Sequence, residues 1–248
     1  DLAWASGQPE TNITQYTIPG EGTSSGVLVD YATGQDTPAS VTITASGNPG
    51  VQTGTYGGAE TDAGTDAYNT FHSIVDMSGV VQYGDSGWYV DLEITGLDPA
   101  STYTFAASAN RADSRYTSRI SRFTISGADA AINASTSGVT VKDDSQGHSV
   151  AFNTGYNTGT GYVARWSGIN PGEDGSFKVR VEADADYQAY GPSVFMLGLE
   201  GEAVTYMLEA GNDGNGVVNL SPAGGVYVSG TTVTLTPAPE AGFAFSHW

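Results

Sequence analysis

The chain has 248 residues, with 27 acidic side chains against 8 basic ones, a formal net charge of −19 and no cysteine. So few cations argue against a nucleic-acid partner, because phosphate backbones are bound chiefly through Lys and Arg, and no apolar run reaches the roughly 18 residues of a bilayer-spanning helix. Only 14% of residues are charged while 52 are Ser or Thr and 34 are Gly, a hydroxyl-rich, cysteine-free composition that points to a secreted, extracellular or cell-surface protein.

Short runs with period-two alternation, separated by glycine-rich turns, predict strands at 27–29, 41–44, 88–95, 102–107, 120–126, 139–142, 149–153, 162–166, 176–182 and 193–199. No long helical periodicity accompanies them. The fold class that follows is all-β: an antiparallel β-sandwich, jelly-roll-like, with a small C-terminal β-rich repeat. Gly96-Leu97-Asp98-Pro99 joins two of these strands, with Leu97 expected under the sandwich edge and Asp98 bonded to its own following backbone. Trp166 to Gly172 predicts a second corner of similar chemistry. Composition changes near residue 202, since Ala203 to Trp248 hold no Lys or Arg and only the acids Glu209, Asp213 and Glu240. Two domains are therefore expected, 1–202 and 203–248. In the second, Asn212-Asp213-Gly214-Asn215-Gly216 reads as a hairpin turn.

The residue order of the second domain is specific. A strand is followed by Gly214-x-Gly216, a short strand, Ser221-Pro222-x-Gly224-Gly225, Gly230-Thr231, Val233-x-Leu235, Pro237 and Gly242-Phe243-x-Phe245-x-x-Trp248. Over residues 204–248 this resembles the divergent bacterial surface repeat related to the internalin B-type repeat, and Tyr227, Val233, Leu235, Phe243, Phe245 and Trp248 alternate as the buried aromatic face of a small sheet would. The resemblance implies a truncated repeat in a longer modular protein with covalently linked neighbouring domains. Residues 1–202 resemble the galactose-binding-like sandwiches, or carbohydrate-binding modules, of secreted bacterial modular proteins. That likeness is carried by Gly96-Leu97-Asp98-Pro99-x-x-x-Tyr103-x-Phe105, by the stretch 153–181 and by the apolar run Val194 to Leu199. It implies a non-catalytic module whose partner is a polysaccharide or oligosaccharide. Two other readings stay open, a structural or adhesive spacer of a surface protein and a β-sandwich glycoside hydrolase or polysaccharide lyase. Against catalysis, His72, His148 and His247 stand apart and form no two-His zinc motif.

Half of the cations, Arg111, Arg115, Arg119 and Arg122, fall within twelve residues beside one acid, Asp113. Arg111 and Arg115 offer planar donors for a carboxylate, sulfate or phosphate, with Tyr116 as a stacking ring. Arg119 and Arg122 are expected instead on a strand's solvent face, paired with acids. Tyrosines are frequent in predicted loops, among them Tyr56, Tyr83, Tyr187 and Tyr190, and rings beside amides suit the apolar faces and hydroxyls of sugars. Tyr68, Tyr156, Asn157 and Trp166 complete the expected ligand-binding set. Glu60, Asp62 and Asp66 gather oxygen ligands of the kind Ca2+ takes, so structural calcium is the cofactor expected, with simple solvation of the acids as the alternative.

Overall fold

The computed structural model describes residues 12–16, 20–52, 57–142, 146–185, 188–201, 205–212, 214–228 and 231–247. Tyr56, Tyr187, Asp213 and Trp248 lie outside the described residues. The chain divides into two compact units, Asp1–Glu200 and Gly201–Trp248.

The first unit is an antiparallel sandwich. Its larger sheet runs in the order β1 (Gly22–Val29), β2 (Asp36–Ser46), β5 (Tyr89–Thr95), β12 (Phe177–Ala183), β7 (Ile120–Ser126), β10 (Ser149–Asn153) and β9 (Thr140–Lys142). The smaller sheet runs β13 (Val194–Glu200), β6 (Thr102–Ser108), β11 (Ala164–Asn170) and β8 (Ala130–Asn133). From β5 to β13 the chain changes sheet at every connection except β9 to β10, which pair as neighbours. Register explains why alternation in sequence becomes two faces. One row across the larger sheet is Ala45, Val90, Val181, Phe123 and Val150, all buried. The adjacent row on the opposite face is Thr44, Asp91, Arg180, Thr124 and Ser149. A one-residue slip would exchange the two and put Asp91 and Arg180 in the core, so the pattern fixes the register. Against the apolar face pack Phe105, Trp166, Ile169 and Phe195 of the smaller sheet.

The corner at Leu97 forms as its residues predict. Leu97 is buried, the Asp98 carboxylate accepts from the Ala100 N–H at 2.9 Å, and the Tyr103 hydroxyl accepts from the Asp98 N–H at 2.8 Å. The expected corner at Trp166 begins later. Residues 166–170 belong to β11, whose pairing shifts between Trp166 and Ile169, and Gly168 takes the bulge at φ 55°. A short helix, α1 (Asp66–Phe71), and a pair of strands, β3 (Gly50–Gln52) and β4 (Val80–Gln82), were absent from the sequence pattern. Thr65 caps α1 by accepting from the Tyr68 N–H. Ala67 and Phe71, four residues apart, are buried with Val75, Met77, Ala106, Val163 and Val194 in a second apolar cluster. Ala106 and Val194 alternate with the inward-facing Phe105 and Phe195, so α1 covers the outer face of the smaller sheet.

In the second unit β14 (Thr205–Met207) pairs with β16 (Val226–Val228), and β15 (Gly216–Ser221) pairs with β17 (Thr234–Pro239). The strands flanking Asn212 therefore pair with other strands and not with each other, which corrects the hairpin expectation. Leu220 faces Leu235 across β15 and β17, while Phe243 and Phe245 remain 54% and 44% exposed, outside the buried aromatic face expected for them.

Candidate functional site

The loops at one end of the sandwich are fastened to one another by polar side chains that the core excludes. Asn110, fully buried after β6, donates through Nδ2 to the Ala59 carbonyl and the Thr158 hydroxyl, while its Oδ1 accepts from the Ala112 and Asn157 N–H groups. Asn157, also fully buried, donates to the Ala109 and Tyr162 carbonyls and accepts from the Tyr162 N–H. A buried amide left unmatched costs about 1–3 kcal/mol, and these two are matched by near neighbours and by partners 47 to 51 residues away. Thr154 and Ser121 extend the network to the backbone of Tyr190. Ala112 holds φ at 56°, a left-handed conformation that costs a non-glycine residue about 1 kcal/mol and that this framework imposes.

On this framework sits a cluster of arginines and tyrosines. The Arg119 guanidinium lies 3.8 Å from the centroid of the Tyr116 ring, 5.1 Å from Tyr83 and 5.7 Å from Tyr190, and its Nη1 donates to the Tyr190 hydroxyl at 3.2 Å. Arg115 and Arg111 approach the same Tyr116 ring at 5.6 and 5.9 Å. Tyr83 meets Tyr190 edge-on, with centroids 6.0 Å apart. Gly155 makes the close approach possible, because a Cβ there would stand 2.3 Å from the Tyr116 carbonyl and 3.0 Å from the Arg119 Cβ. Each guanidinium over a ring contributes about 0.5–2 kcal/mol, more as water is excluded.

Electrostatics separate the three arginines. Arg115 makes a bidentate pair with Asp113, Nε to Oδ1 at 2.9 Å and Nη2 to Oδ2 at 2.7 Å. Those hydrogen bonds hold the Asp113 carboxyl well below the usual carboxylate range and raise the Arg115 guanidinium. Arg111 instead donates from Nη1 to the Gly57 carbonyl at 3.1 Å. Burial opposes the charge of Arg119, but hydrogen bonding to Tyr83 and the neighbouring tyrosine oxygens outweigh it and raise its pKa. Burial also raises the Tyr190 phenol, against the pull of Arg119 and Arg111, so that hydroxyl stays protonated at neutral pH.

Of the residues expected to bind ligand, the structure brings Arg111, Arg115 and Tyr116 together and places the exposed Tyr156 in the loop that touches Tyr116 through Gly155. Trp166 and Asn157 are fully buried. Trp166 packs in the core with its Nε1 donating to the Gly147 carbonyl, so neither residue presents a face to a ligand. Tyr68 lies apart on α1, stacked on His72 at 4.2 Å, and His72 meets Glu60 at 2.9 Å. Asp66 is taken up by Arg165 through two hydrogen bonds of 3.0 and 2.8 Å and by Thr136 and Thr70. Of the three acids expected to hold calcium, Asp62 is thus the one that, among the described residues, has neither a cation nor a histidine on its side chain. Among the described residues no three His, Asp or Glu side chains lie close enough together to hold a metal ion. Sequence reasoning missed Arg119 as the centre of the cluster, with Tyr83 and Tyr190 around it.

Residues 206–248 match the family model described as the divergent InlB B-repeat domain. The match supports the C-terminal segment as a bacterial surface repeat, and with it a bacterial surface module. No curated protein and no solved structure matches the chain.

Proposed function

We propose that the sandwich is a non-catalytic carbohydrate-binding module of an extracellular bacterial protein, capturing polysaccharide through the loop cluster built around Tyr116. One observation carries this reading: three guanidiniums and the rings of Tyr83, Tyr116 and Tyr190 are gathered at the loop end on a framework of buried, fully matched amides. A preformed surface of rings and fixed donors keeps the ordering cost of binding low. In a linked multidomain protein such a module raises the local concentration of polymer around its neighbours.

Calorimetric titration of the full chain with a panel of neutral, uronic and sulfated polysaccharides tests the proposal, with binding to at least one polymer as the expected result. A panel without heat at any member overturns it. The repeat match favours a second reading, a spacer that holds other domains away from a surface, and that reading predicts the silent panel. Release of reducing ends or unsaturated products by the chain alone would make it an enzyme.

A further inference from the structure

This inference rests on the binding proposal and names the class of glycan. Six of the eight cations are matched by carboxylates: Arg115 by Asp113, Arg122 by Glu182, Lys142 by Asp184, Arg165 by Asp66, and both Lys178 and Arg180 by Asp91. Two of these pairs are cross-strand neighbours, Arg180 opposite Asp91 and Arg122 opposite Glu182, as strand register places them. Arg111 and Arg119 are the two that, among the described residues, make no ion pair. Both approach the Tyr116 ring, and both act on the Tyr190 hydroxyl.

We propose that Arg111 and Arg119 are a recognition pair for an anionic substituent on a sugar, a uronate carboxylate or a sulfate ester. A guanidinium carries five donors. Arg119 gives one to Tyr190 and is hydrogen-bonded to Tyr83, and Arg111 gives one to Gly57, so each keeps donors for a forked, two-oxygen contact. The rings of Tyr116, Tyr83 and Tyr190 stack on or border the guanidiniums without supplying a carboxylate to them, and the Tyr190 hydroxyl accepts a hydrogen bond from Arg119. Arg115 and Asp113 cancel each other, which leaves the cluster with two net positive charges. The overall charge of −19 repels a polyanion at long range, yet at physiological salt the screening length is about 8 Å, so the acids across the molecule weigh little against two guanidiniums in contact.

The test compares polymers that differ in charge alone. The full chain is titrated with polygalacturonate and with its methyl ester, with alginate and its ester, and with dextran sulfate and dextran. Tighter binding of an acid polymer than of its neutral counterpart is expected, with an affinity that falls as salt rises. The polygalacturonate and alginate arms speak for a carboxylate and the dextran sulfate arm for a sulfate. Arg111→Gln and Arg119→Gln should each weaken binding of the preferred acid polymer about tenfold or more. Arg119→Lys keeps the charge and loses the fork, and should weaken it less. Thermal melting of each variant separates loss of binding from loss of fold, and the salt dependence of the unmodified protein needs no variant at all. Equal affinity for acid and neutral forms, or unchanged affinity in folded Arg111→Gln and Arg119→Gln proteins, overturns the inference while the binding proposal stands. No heat with any polymer overturns both.

Discussion

In the loop at 60–72 the one carboxylate that enters the fold, Asp66, receives two N–H groups from Arg165 and hydroxyls from Thr136 and Thr70, and the pair is about three-quarters buried. In the loop at 109–119 the cation that enters the fold, Arg119, meets the rings of Tyr116, Tyr83 and Tyr190 and the Tyr190 hydroxyl, and among the described residues it makes no ion pair. Both loops looked charged in sequence. The acid loop spends its charge inside the protein, fastening α1 to β11, whereas the arginine loop keeps two charges, on Arg111 and Arg119, that no carboxylate among the described residues neutralises. Charge density in a segment therefore says less about ligand binding than whether the opposite charge is already within reach.

The largest test of this contrast is to remove one partner on the acid side. Arg165→Ala leaves Asp66 partly buried and unpaired, and should cost about 2–3 kcal/mol in urea denaturation, whereas Arg119→Gln should cost about 1 kcal/mol or less. Equal losses would mean that Arg119 is as structural as Arg165. The acid limb of stability gives a second measure. Burial pushes the Asp66 carboxyl upward, but the hydrogen bonds and charge of Arg165 with Thr136 and Thr70 outweigh it, and the folded pKa lies below the unfolded one. Its contribution is complete above the unfolded value of about 3.9 and is lost as pH falls through the folded value. Melting temperature should therefore drop below about pH 4, and less steeply in Asp66→Asn, whose own stability lacks the titrating group. On the arginine side, Gly155→Ala forces a methyl against the Tyr116 backbone and should cost about 1–2 kcal/mol, and under the proposed function it should weaken glycan binding more than Arg165→Ala does.

The strands were legible because period-two alternation survives in β7 and β10, which begin and end where the pattern places them. The helix was not, since six residues make fewer than two turns and leave no period to read; Thr65 followed by Ala67 and Phe71 was its only trace. The site was half legible. Arg111, Arg115 and Tyr116 are neighbours in sequence, but Arg119 finds Tyr190 across 71 residues, a distance that no local pattern spans. Asp113 was noted only as the one acid beside the four arginines, and the structure spends Arg115 on it in a bidentate pair where its donors were expected to face a ligand. Trp166 was misplaced for a different reason. The run around it reads as a corner, but Trp166 is still in the strand, paired opposite Phe105 on the inward face, and the register shift after it turns Ile169 to that same face.

The smallest expected effect belongs to calcium. An oxygen-rich loop gains from a divalent ion only if its carboxylates can turn toward one point, and here Asp66 is held by Arg165 while Glu60 is held by His72. Adding calcium or a chelator should then leave the melting temperature of the unmodified protein unchanged. The informative partner is Arg165→Ala, which frees the Asp66 carboxylate six residues along the chain from Glu60. If calcium raises the melting temperature of that variant alone, the arginine occupies the place of a cation and the loop's acidity is an ion site filled from within. If calcium raises it in the unmodified protein as well, the contrast between the two loops is weaker than the ion pairs suggest, and Asp62 with Glu60 recruits the ion despite the competing Arg165.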